Sequence, residues 1–245
     1  MLKSKNNFRK LTSSAATQCI MQEFSVAHEK QAATLSCAFS PDNKQLVAGN
    51  YKGGIVIHNT SNGEELYRLN NAHTTREVRD IKYFQHGSGF VSCSEGQSEN
   101  LKVWGSSLEP IQSLEFHTRS VYAVAISPCS LHIVSGGREA ECIVWTKLGD
   151  TWTGIKSIRD HTSHVLTVCF SPNGKILATS GFDKHIMLYH FYKLGPDNSD
   201  EVEEILYVDQ YFALRNDSVI NSLAFSPDSA YLCSGSIDSS LRVWR

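Results

Sequence analysis

The chain has 245 residues, 41% hydrophobic and 20% charged, with 16 Gly, 6 Pro and a formal net charge of −2. These proportions exclude a collagen, a coiled coil and a wholly disordered polypeptide, and the length allows a core that buries most of the unfolded surface. No apolar run approaches the roughly 20 residues of a membrane-spanning helix, which argues against an integral membrane protein.

The first segment, residues 1–15, carries Lys3, Lys5, Arg9 and Lys10 without the apolar stretch of a secretory signal, and reads as a disordered basic tail. Once those four cations are set aside, 19 basic and 25 acidic residues remain, so a general nucleic-acid surface built on clustered Lys and Arg is not expected. A strand is expected over Ile20–Val26, and from Cys37 the chain runs CAFSPDNKQLVAG. Similar strings return as IKYFQHGSGFVSC from Ile81, AISPCSLHIVSGG from Ala125, CFSPNGKILATSG from Cys169 and AFSPDSAYLCSG from Ala224. The prolines Pro41, Pro128, Pro172 and Pro227 mark a period of about 44 residues, the size of a repeat that cannot bury its own core and must stack on its neighbours.

Within each copy, turn chemistry separates short apolar runs. In the fourth, Val165–Phe170 leads to Ser171-Pro172-Asn173-Gly174, then Ile176–Thr179, then Gly181-Phe182-Asp183-Lys184, then Ile186–Tyr189. Proline at the second turn position and glycine at the fourth suit a type I turn between strands. A further strand opens each unit, at Glu65–Leu69, Ile111–Phe116, Thr153–Arg159 and Ile205–Leu214. The expected fold is all-β, a repeated four-stranded antiparallel sheet. The longer spacing before Pro227 comes from an insertion at Phe191–Glu204, which is expected to form an acidic rim loop with Asp200, Glu201, Glu203 and Glu204.

Here the sequence resembles the WD40 repeat family, whose units form four-stranded propeller blades. The family's histidine is matched by His28, His73, His117 and His161, with Asn216 or Asp217 in the fifth copy. Its tryptophan is matched by Trp104, Trp145 and Trp244, with His58 and Tyr189 substituted in two copies. Its turn acid is matched by Glu139, Asp183 and Asp238, and its small hydroxyl by Ser135, Thr179 and Ser234. Ala48 and Lys52 break the pattern in the first copy. The resemblance covers residues 16–245 as five units, approximately 16–62, 63–108, 109–150, 151–200 and 201–245. It implies hydrogen-bonded sets such as His117, Ser135, Glu139 and Trp145, or His161, Thr179, Asp183 and Tyr189. Five units leave three arrangements open: part of a seven-bladed ring, a five-bladed closure with Ile20–Val26 as the last strand, or two chains that complete each other.

The implied function is a non-catalytic scaffold that binds proteins or peptides on one propeller face in the cytoplasm or nucleus, with no cofactor, metal or membrane. By the family analogy that face carries Arg119, Arg138, His164, Phe182 and Ile237. Two alternatives are a hydrolase built on Glu139, Asp183 and Asp238, and an RNA-associated subunit using Arg68, Arg76 and Arg79. The seven cysteines are odd in number, widely spaced and without a C-x-x-C pair, which reads as reduced structural thiols. His185 and His190, five apart, are poorly placed to share a metal.

Overall fold

The computed structural model describes residues 32–74, 77–96, 99–194 and 205–245. Among them are strands and no helix, arranged as five antiparallel sheets. The first sheet holds β1 (Thr34–Phe39), β2 (Gln45–Asn50), β3 (Ile55–Asn59) and β4 (Glu65–Leu69). The second holds β5 (Val78–Tyr83), β6 (Phe90–Ser94), β7 (Leu101–Trp104) and β8 (Pro110–Ser113). The third holds β9 (Val121–Ile126), β10 (His132–Gly137), β11 (Cys142–Leu148) and β12 (Thr151–Ile158). β13 (Val165–Phe170), β14 (Ile176–Gly181), β15 (His185–Leu194) and β16 (Ile205–Arg215) form the fourth. The fifth has three described strands, β17 (Ile220–Phe225), β18 (Leu232–Ser236) and β19 (Leu241–Trp244). The basic tail, His28 and the strand expected at Ile20–Val26 lie outside the described residues.

Sheet and sequence copy are out of step by one strand. From the second unit on, the strand that opens a unit pairs with the third strand of the unit before it. The one expected over Thr153–Arg159 is therefore the outer edge of the third sheet, as β12. The Ser-Pro turns show why the motif recurs. Ser40, Ser127, Ser171 and Ser226 each accept, through Oγ, the N–H five residues on, at 2.9–3.1 Å. Their carbonyls accept the N–H of Asn43, Ser130, Gly174 and Ser229, all at 2.8 Å, and these fourth residues all have left-handed φ between 57° and 73°. Glycine suits that position, and Asn and Ser tolerate it at a small cost.

Sheets stack through their first strands, and the core lies between them rather than inside any one. Val47, Ile55 and Ile57 share a cluster with Val78, Ile81 and Phe90; Leu101 and Val103 join Val121, Val124 and Ile133. Cys142 and Val144 join Val165, Val168 and Leu177, and Ala178 and Ile186 join Ile220 and Leu232. At the fifth sheet the same repeat positions are Leu241 and Val243, which are 71% and 65% exposed, because no described sheet follows.

One correction concerns the insertion. Phe191 does not start a loop. β15 and β16 stay paired as far as Leu194↔Ile205, and Phe191 is buried against Phe170 and His132, with ring centroids 4.8 Å and 5.3 Å apart. An aromatic ring with a core to enter keeps the strand going. The acidic run itself lies outside the described residues.

First and second strands meet closely at the end where β14 stops. A Cβ added to Gly181 would lie 1.9 Å from the His164 carbonyl oxygen, a clash with backbone that no rotamer relieves. Gly181→Ala is expected to cost about 3 kcal/mol, of the order seen for overpacked cores. Chemical unfolding checks this; wild-type stability in the variant would show that the approach is soft.

Candidate functional site

At one end of the sheets, the loop entering each first strand meets the turn between the second and third strands. The same backbone hydrogen bond closes this meeting five times. Tyr51, Glu95, Arg138, Phe182 and Ile237 donate their N–H to the carbonyls of Ala33, Glu77, Ser120, His164 and Val219, at 2.9–3.2 Å. These five residues therefore occupy equivalent places on one rim. Arg138 is exposed, and Phe182 and Ile237 are 48% and 63% exposed, while Arg119 stands exposed on the loop entering β9. Tyr51 and Glu95, their equivalents in the first two sheets, were not singled out from sequence, although alignment of the copies places them there.

Beneath that rim run the polar sets. In the second sheet His73 Nε2 lies 2.7 Å from Ser92 Oγ, which also accepts the Trp104 indole N–H at 2.8 Å, and His73 Nδ1 lies 3.0 Å from the Glu99 carbonyl. In the third, His117 Nε2 and Trp145 Nε1 converge on Ser135 Oγ at 2.8 and 2.9 Å, and Glu139 faces His117 Nδ1 at 3.3 Å. Glu139 also accepts the N–H groups of Thr118 and Arg119 at 2.7 and 2.6 Å. In the fourth, His161 bridges Thr179 and Asp183, both at 2.7 Å, and Asp183 accepts from Thr162 and His185 N–H. The Tyr189 hydroxyl lies near Thr179 and Asp160 without reaching bonding geometry to either, so this aromatic fills the tryptophan's space but does not complete the set.

The end copies are simpler. Trp244 donates to Ser234 at 3.0 Å, Asp238 accepts from Ser240 N–H at 2.9 Å, and buried Asn216 stands at the histidine position. In the first sheet Asn50 accepts the N–H groups of Lys52 and Gly54, both at 2.9 Å. His58 is buried with neither ring nitrogen in hydrogen-bonding geometry, because Ala48 supplies no hydroxyl, and burial lowers its pKa. Ser36, donating to the Val78 carbonyl at 3.1 Å, ties that sheet to the second.

Environment sets the protonation states. Burial pushes His73 down to about 4, so it is neutral at pH 7. For Glu139, burial works to raise the carboxyl. The His117 hydrogen bond and charge, together with backbone donors including Arg119, outweigh it and hold the group at about 2. Asp183 is lowered by the same balance, burial opposed by His161 and the N–H groups of His185 and Thr162. Cys93 and Cys142 are buried with thiols raised by desolvation, and Cys169 is pushed to about 12. Cys37 and Cys129 are exposed.

The alternatives fare differently. Arg68 is held by Glu65, and Arg79 by Glu77 and Glu95, so their charges are compensated; Arg76 lies outside the described residues. His185 and His190 both belong to β15, where odd spacing sends side chains to opposite faces. Among the described residues no group of three or more His, Cys, Asp or Glu is placed to hold a metal.

The family model described as "WD domain, G-beta repeat" (WD40) matches residues 108–146, 152–190 and 211–245. The chain carries WD40 repeats at these three sites. Relatives agree at low identity. It is 25% identical over 216 residues to Drosophila melanogaster "Actin-interacting protein 1", covering 85% of this chain and 33% of that one. It is 24% identical over 229 residues to Kluyveromyces lactis "Protein HIR1", covering 80% and 26%. It is 24% identical over 210 residues to Mus musculus "WD repeat-containing protein 1", covering 84% and 32%. The chain thus spans about a quarter to a third of the length of these relatives. The first two copies lie before the matched residues, yet they fold into sheets of the same strand order and register as the third and fourth.

Proposed function

We propose that this WD40 array is a non-catalytic scaffold that binds a protein or peptide partner on the rim carrying Arg119, Arg138, His164, Phe182 and Ile237, in the cytoplasm or nucleus. The observation that carries the reading is the repeated rim hydrogen bond. It holds five different side chains at equivalent places on a stiff frame, which is how a repeat fold presents a recognition surface. A division of labour supports it. Of the three acids a hydrolase would need, Glu139 and Asp183 point into the frame and are engaged by histidines and backbone donors, and the exposed Asp238 accepts the Ser240 N–H within its own turn, whereas Arg138, Phe182 and Ile237 are exposed on the rim. Arg and aromatic residues are also the types that concentrate binding energy. One relative carries a name that fits such binding, "Actin-interacting protein 1".

The test is recovery of partners on the immobilised chain, identified by mass spectrometry. A variant with Arg138→Glu and Phe182→Ala is expected to lose the specific partner while its melting temperature stays unchanged, since both side chains are exposed. Equal recovery on wild type and variant would reject the rim as the binding surface.

A further inference from the structure

Four side chains on the rim form a continuous row across three sheets. The Arg79 guanidinium lies over the Tyr122 ring, 5.5 Å from its centroid; Tyr122 meets His164 at 6.0 Å; and His164 meets Phe182 edge-on at 5.3 Å. Two of these contacts cross from one copy to the next and the third lies within the last: Arg79 is the second residue of β5, Tyr122 lies in β9, and His164 and Phe182 flank β13 and β14. The row ends on the half-exposed Phe182, so it offers an accessible aromatic side chain with a supported base.

The charged groups around the row differ in whether they are paired. Arg79 is neutralised by Glu77 and Glu95, and so serves as a stacking base. Glu139 and Asp183 are turned inward onto His117, His161 and backbone N–H groups. Glu115 and Asp160, the remaining acids of the loops entering β9 and β13, follow the outermost strands and precede the buried histidines. Arg119 and Arg138 are exposed and make no ion pair among the described residues. An otherwise acidic chain thus presents two uncompensated guanidinium groups beside an aromatic row.

Resting on the scaffold reading above, we infer that the partner segment is an acidic peptide carrying an aromatic or large apolar side chain. Its carboxylates pair with Arg119 and Arg138, and its apolar side chain packs on His164 and Phe182. Guanidinium groups match carboxylates in fork geometry, and the aromatic row supplies apolar area at low entropic cost.

The experiment titrates the purified full chain against fluorescein-labelled probes by anisotropy. The probes are a short Asp/Glu peptide with one central Phe, the same peptide with Lys for every acid, the acidic peptide with Ala for Phe, and an oligouridine. The acidic Phe peptide is expected to bind, and the Lys version is not. Arg119→Glu, Arg138→Glu and Phe182→Ala should each weaken binding by about tenfold or more, with melting temperature unchanged. Equal binding of the Lys peptide, no binding of the acidic one, or tighter binding of oligouridine through Arg138 and Phe182 would overturn the inference. If a recovered partner depends on Arg138 and Phe182 but is not displaced by the acidic peptide, the scaffold stands and this partner class is wrong. If recovery depends on neither residue, the scaffold surface itself fails.

Discussion

Replacing Asp183 with alanine is expected to lower the unfolding free energy by about 3 kcal/mol, while Phe182→Ala, one residue away, changes it by less than about 0.5 kcal/mol. The contrast follows from where the two side chains go. Asp183 has a side chain only 2% exposed and accepts hydrogen bonds from His161 Nδ1 and from the N–H groups of Thr162 and His185. Its removal leaves the buried His161 and the half-buried His185 N–H without an acceptor, and each orphaned donor costs its desolvation, while the exposed Thr162 N–H turns to solvent. The damage reaches further, since His161 also meets Thr179, so the loop entering β13 loses its tie to β14. Phe182 is 48% exposed and meets His164 edge-on. Urea unfolding of the two variants checks this. Similar losses for both would erase the distinction between frame and surface on which the functional proposal stands.

Acid should destabilise the fold in two stages. His73 has a folded pKa near 4 against an ordinary value of 6.5, because burial disfavours its charged form. Above pH 6.5 both folded and unfolded chains hold this ring neutral, and its contribution is complete. Between pH 6.5 and 4 the unfolded chain takes up the proton and the folded one does not, so about 3 kcal/mol is lost as pH falls. Glu139 acts next. Its folded pKa of about 2 lies below the ordinary 4.5, so the stability from its ionised form is present above 4.5 and drains away between 4.5 and 2. With its side chain 15% exposed, that loss is about 2–3 kcal/mol. Unfolding free energies measured from pH 7.5 down to the lowest pH at which the chain stays folded should show both stages. Glu139→Gln should shrink the second, leaving the part that the lowered Asp183 contributes, and should not change the first. A flat profile from pH 6.5 to 4.5 would mean that His73 is solvated or protonated in the folded chain.

How much of this was legible beforehand can be followed residue by residue. Turn chemistry was readable because it is local: Ser171-Pro172-Asn173-Gly174 carries its own acceptor, fixed φ and left-handed residue within four positions. The polar sets were readable because a period of about 44 residues repeats the same types at the same offsets, so His161, Thr179 and Asp183 could be matched to His117, Ser135 and Glu139. Single residues that break the pattern were harder. Tyr189 looked like a stand-in for tryptophan, but a phenol hydroxyl sits at a different distance from the ring than an indole N–H, and it misses Thr179. Phe191 looked like the start of a loop because composition turns polar and acidic soon after it. Its fate depended on Phe170 and His132, which are far away in sequence and supply the surface that buries it.

The amino-acid sequence by itself determined the repeat, its strand and turn chemistry and the all-β class. All of these follow from periodicity and from short-range bonding. Only the tertiary structure decided which sheet owns each outer strand, because pairing across a long loop is a competition between edges rather than a property of either strand. Tertiary structure also brought Arg79 and Tyr122 into line with His164 and Phe182. Those four residues lie in three copies and share no motif, and they become neighbours only when the first strands of successive sheets pack side by side.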